Sequence, residues 1–160
     1  MSSVKGHFGQ QSALWSNKLT FNPSGGLTGF DGNETKLSTY WNTPFSEICL
    51  GMIKGQKSNF IVIRKDADSL YSLIADGVYR PTTLRRSKWI SLMKGFINLQ
   101  SRCNREGFNV FCAGGYVRIG IFGNNENDCR SCDTQMGFGL SRRHSCGDVS
   151  TGTMGYIFVK

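Results

Sequence analysis

Residues 117–139, VRIGIFGNNENDCRSCDTQMGFG, decide how this chain reads. Val117, Ile119 and Ile121 fall on one face of a strand, because side chains alternate with a period of two. That strand runs into Asn124, Asn125, Glu126, Asn127 and Asp128, a series of oxygen donors, and then at once into Cys129-Arg130-Ser131-Cys132. Hard oxygen donors suit calcium, which takes six to eight of them, although the spacing is not that of an EF-hand. Asp133 and Asp148 add carboxylates nearby in sequence. The local alternative is a polar turn in which the Asn side chains satisfy their own backbone.

Flanking segments supply the scaffold. Residues 107–113 (GFNVFCA) and 116–122 (YVRIGIF) read as two strands across a Gly114-Gly115 turn. Residues 48–53 (ICLGMI), 59–64 (NFIVIR) and the closing MGYIFVK read as further strands. Leu70–Ile74 is a single helical turn stopped by Asp76-Gly77. Thr43-Pro44-Phe45-Ser46-Glu47 has the signature of a helix start, with Thr43 as cap and Pro44 in the first position. Trp89, Leu92, Met93, Phe96 and Ile97 recur at helical spacing, which predicts one clear helix near 83–96, capped by Thr82 or Thr83. Residues 1–13 read as a frayed lead-in, with Trp15 as the first anchor. The class expected is α+β, coil-rich towards its C-terminal end, as a single domain over 14–160.

Composition narrows the setting. The 160 residues are 39% hydrophobic and 19% charged, the balance of a folded chain with a core. The net charge is +8, yet its lysines and arginines are scattered, so no nucleic-acid tract is expected. No stretch reaches the ~20 apolar residues that cross a bilayer. Six cysteines, Cys49, Cys103, Cys112, Cys129, Cys132 and Cys146, permit three disulfides in any of 15 connectivities. Their crowding into loop-like sequence favours an oxidising compartment. Asn33-Glu34-Thr35 is a glycosylation sequon and agrees with secretion. The N-terminus has no apolar signal core, so the expectation is a truncated or processed secreted chain.

The same residues also admit other chemistries. The CxxC at Cys129–Cys132 would suit a redox pair, but DTQMGFG after it is poor helix. Cys129, Cys132, His144 and Cys146 supply four zinc-type ligands at an unusual spacing. A carboxylate pair from Glu126 with Asp128 or Asp148 would suit glycoside hydrolysis only at a fixed separation. No nucleophile, zincin or phosphate-loop motif is present, so the chain is expected not to be an enzyme.

The segments LWSNKLTFNPSGGLTGFDGNETKLSTYWNTPFSEICLGM, SLYSLIADG, CNREGFNV, VRIGIFGNNENDC, CDTQMGFG and MGYIFVK resemble the intelectin-like branch of the fibrinogen C-terminal superfamily. Within it they are most similar to secreted cnidarian domains grouped under a skeletal organic matrix protein. The resemblance implies a fibrinogen-like fold lacking the family's first strand, and a calcium-dependent lectin that binds sugar diols. It places ligand contacts on Asn124, Asn125, Glu126 and Gln135, and calcium on Glu126, Asp133 and Asp148. It also implies a Cys103–Cys132 disulfide. Met136 stands where the family has a histidine, Gln135 where it has a carboxylate, and Ser12-Ala13 where it has Gly-Asp. The partners it implies are glycans or acidic matrix polymers, with homo-oligomers also in view. The alternative function is an extracellular matrix domain that has lost the sugar site.

Overall fold

A computed structural model describes residues 6–27, 29–141 and 152–160. Strands dominate and the helices are few and short. One three-stranded antiparallel sheet has the order β2-β1-β7, from β1 (Phe45–Lys54), β2 (Lys57–Ala67) and β7 (Met154–Val159). A four-stranded sheet has the order β3-β4-β5-β6, from β3 (Arg80–Pro81), β4 (Arg102–Cys112), β5 (Gly115–Asn124) and β6 (Thr134–Leu140). The helices are α1 (Thr39–Asn42), α2 (Leu70–Ile74) and α3 (Arg86–Ser91).

Alternation explains the first sheet. Ile48, Leu50 and Met52 on β1 and Ile61 and Ile63 on β2 are buried, while Phe60, Val62 and Arg64 between them are exposed. The hairpin turns at Gly55, whose φ of 59° a two-residue turn requires. β7 returns from the far end of the chain to pair with β1, Tyr156 opposite Gly51 and Phe158 opposite Cys49. In the second sheet Phe108, Ile119 and Phe138 stand side by side across three strands. Their buried side chains join Ile48, Leu50, Trp89, Leu92 and Leu99 in one core.

Four expectations are corrected. Thr43–Glu47 starts no helix: Thr43 ends α1, and the backbones of Ser46 and Glu47 pair with Lys160 at the edge of the sheet. The predicted helix over 83–96 shrinks to Arg86–Ser91, followed by turns that still bury Leu92 and Met93. Neither Thr82 nor Thr83 caps it; the carboxylate of Glu106 on β4 takes the Leu84 and Arg85 N–H groups at 3.1 and 2.8 Å. The hairpin between β4 and β5 turns at Ala113-Gly114, both with positive φ (51° and 78°), the geometry of a type I′ turn, one residue earlier than expected.

The described part of the lead-in, from Gly6 onward, makes contacts with the residues after it. The Trp15 indole donates to the Gly9 carbonyl at 3.0 Å, Phe8 meets Trp15 edge-on, and Arg118 donates to the Gln10 carbonyl at 3.0 Å. Lys36 fixes the next segment: its buried ammonium donates to the Leu14 and Asn17 carbonyls and to Asn17 Oδ1 at 2.6, 2.8 and 2.7 Å. Burial pulls the pKa of Lys36 below that of a free lysine, while three acceptors hold its proton in place.

Candidate ligand-binding cleft and acceptor-rich loop

The acceptor-rich loop leaves β5 at Asn124. Asn124 is fully buried, and its Nδ2 donates to the Asp128 carbonyl at 2.7 Å and to Ser131 Oγ at 3.1 Å. The Asp128 carboxylate accepts from the Arg130 backbone at 2.9 Å and from Ser131 Oγ at 3.2 Å. The Arg130 N–H, assisted by the Arg130 and Ser131 side chains, holds Asp128 below the usual carboxylate range. Asn124 and Asp128 therefore shape the loop. Asn125 and Glu126 stand exposed at its tip.

Two disulfides staple the loop: Cys103–Cys129 and Cys112–Cys132. The Cys103–Cys132 pairing is thus corrected. β4 changes register between Arg102 and Arg105, where Cys103 and Asn104 have positive φ, and Asn109 adds a third such residue. The hairpin curls until a Cβ on Gly115 would stand 3.1 Å from the Phe122 ring. This brings Cys112, at the hairpin end, to Cys132, and leaves Cys103 to Cys129. Cys132 Sγ still lies 3.6 Å from Cys103 Sγ. Both cysteines of the CxxC are consumed by other partners, so it is not a redox pair here. Cys49 is a half-buried free thiol. His144, Cys146 and Asp148 lie outside the described residues.

Among the described residues no three His, Cys, Asp or Glu side chains converge as a metal group. Glu126 sits at the exposed loop tip, whereas Asp133, anchored by its N–H to the Gly123 carbonyl at 3.1 Å, lines a separate cleft. Glu126 and Asp133 are thus not brought to one point, and the third expected ligand, Asp148, lies outside the described residues.

That cleft has a volume of about 2170 Å³ and opens between the two sheets. Asp133, Thr134 and Gln135 at the start of β6 form a polar corner with Gln100, whose N–H donates to Thr134 Oγ1 at 3.1 Å. Gln135 Nε2 donates to the Ser141 carbonyl at 3.0 Å. Among the described residues the amide oxygens of Gln100 and Gln135 are buried and accept nothing, as does that of Asn124 in the loop. Aromatic side chains, among them Phe96, Phe138, Tyr40 and Trp15, line the rest. Tyr40 is held protonated by burial and donates to the Trp15 carbonyl at 2.7 Å.

The structure therefore gathers Asp133 and Gln135 at the cleft but not Asn124, Asn125 or Glu126, which do not line it. Gln100 escaped the sequence reading because a lone Gln after an apolar residue carries no motif. No protein-family model, curated protein or solved structure matches the chain. No helix among the described residues is long and apolar enough to cross a membrane.

Proposed function

We propose that this chain is an extracellular, lectin-like recognition module of intelectin-like, fibrinogen-related ancestry, which binds rather than transforms its ligand. The observation that carries the reading is the pair of buried amide oxygens, Gln100 Oε1 and Gln135 Oε1, in an aromatic-walled cleft. A buried acceptor without a donor is costly, and a polyhydroxylated ligand supplies donors while its apolar ring faces pack on aromatic walls. The two disulfides agree with an oxidising compartment. Nothing in the reading routes binding through calcium, and calcium is an arm of its test.

The test is a glycan array probed with the oxidised protein in calcium and in chelator, beside Gln100→Leu. Among the described residues the Gln100 side-chain oxygen has no partner, so Gln100→Leu should keep or raise the melting temperature and weaken glycan binding about tenfold. Glycan binding indifferent to the substitution would overturn the cleft as the site. No glycan binding by a folded sample would leave the matrix-protein reading in its place. Binding lost in chelator would return the calcium ligand set to Asp133 with residues outside those described.

A further inference from the structure

Lys54 and Lys57 face each other where β1 and β2 meet their turn. Both ammonium groups reach the same ring: Lys54 Nζ is 5.5 Å and Lys57 Nζ 5.8 Å from the centre of Phe96. Among the described residues neither lysine has a carboxylate within ion-pair distance. Two like charges converge there with only a ring quadrupole to attract them, in a chain already carrying a net charge of +8. Phe96 is exposed and lines the cleft, and the same wall continues through Ile97 and Asn98 to Gln100.

We propose that this mouth of the cleft takes an anionic sugar, a sulfated or uronate unit of a polysaccharide. The proposal rests on the carbohydrate reading of the cleft and names its substrate class. The ring of Phe96 offers a stacking face, the two ammonium groups neutralise one sulfate or carboxylate, and the amide oxygens deeper in the wall accept hydroxyls of the adjoining unit. A sugar polyanion satisfies all three. A nucleic acid would use the charges but leave the inner acceptors without a run of hydroxyl donors.

Binding to immobilised dextran and to dextran sulfate, measured by interferometry at physiological salt, tests it. The protein is compared with Lys54→Gln/Lys57→Gln, with Phe96→Ala and with a control, Arg64→Gln/Lys65→Gln, exposed on β2. The wild-type protein should prefer the sulfated polymer. The Lys54/Lys57 variant should lose about fivefold of that preference while holding dextran unchanged, and the control should lose little. Phe96→Ala should weaken dextran sulfate but not inorganic polyphosphate, which has no ring to stack.

A preference equally reduced in the control would mean diffuse charge and overturn the proposal. So would polyphosphate or duplex DNA bound as tightly as dextran sulfate. Dextran bound without any preference for sulfate sinks this proposal alone. Neither polymer bound by a folded sample sinks the carbohydrate reading and this one with it.

Discussion

Glu106 is a buried carboxylate with no ion-pair partner among the described residues, held by four donors. Thr82 Oγ1, Leu84 N and Trp89 Nε1 donate to Oε2 at 2.7, 3.1 and 2.8 Å, and Arg85 N donates to Oε1 at 2.8 Å. It does for the approach to α3 what a capping side chain does locally, while also orienting the buried indole. Glu106→Gln keeps the shape but turns one acceptor into a donor facing donors. It should cost about 2–4 kcal/mol in denaturant unfolding. Trp89→Phe, which removes one donor and leaves the others, should cost less for the hydrogen bond itself.

Asp76 gives a pH-dependent counterpart at the surface. The Arg80 guanidinium grips it through two bonds of 2.9 and 2.7 Å, and with the Val78 N–H brings its carboxyl down to about 2. A depressed carboxylate stabilises the fold above its unfolded pKa near 4 and loses that contribution as pH falls towards 2. Because the pair is partly exposed, the effect should stay under about 1 kcal/mol. Asp76→Asn should flatten this part of the acid limb in a series of urea melts between neutral pH and pH 2. An unchanged slope would show that the pair contributes nothing measurable.

The second sheet rests on glycines that oppose one another. Gly107, Gly120 and Gly137 are cross-strand partners on β4, β5 and β6. A Cβ on Gly120 would stand 2.2 Å from the Met136 carbonyl oxygen, and one on Gly137 2.1 Å from that of Ile119. Backbone atoms cannot swing aside, so Gly120→Ala must push β5 and β6 apart. A cost of about 2–3 kcal/mol is expected by thermal unfolding, with an Ala placed at the open Gly55 turn as comparison for backbone strain alone. The same glycines explain what the sequence hid. β1, β2 and β5 were legible because each carries an apolar run, consecutive and β-branched in β2 and alternating in β5. β6 was not, because TQMGFGL lacks that alternation and its glycines read as loop. The α3 pattern over-predicted helix, because Leu92 and Met93 reach the core from turns as well as from a helix. The acceptor-rich loop was visible as a run of neighbours, whereas the cleft is assembled from segments as distant as Phe8, Gln100 and Tyr156. No local pattern announces such a site.

Across the whole molecule, the main core and the disulfide region are distinct. The large core draws on both sheets and all the longer apolar side chains around Trp89, and includes no cysteine. A smaller cluster of Val110, Cys112, Val117 and Phe122, with Tyr79 and Cys132 against it, lies under the stapled loop. The disulfides close sequence separations of 26 and 20 residues, each restricting the unfolded chain by about 3 kcal/mol. Reduction should therefore lower the melting temperature while leaving the buried-Trp fluorescence of the main core intact in the cold. The loop over 124–133 should become the first site of protease cleavage, since its tip is exposed and the bonds of Asp128 that then help to hold it are exposed as well. Peptide mapping after acid-quenched alkylation should recover Cys103–Cys129 and Cys112–Cys132, with Cys49 alkylated. Cys112→Ser then asks whether the curl of β4 alone sets this pattern. It frees Cys132 beside Cys103, and because the two sulfurs are 3.6 Å apart, the thiolate of Cys132 should attack Cys103, form Cys103–Cys132 and release Cys129 as the thiol. If Cys103–Cys129 persists unchanged in that variant at alkaline pH, the loop is held by its backbone and not by the reach of its sulfurs.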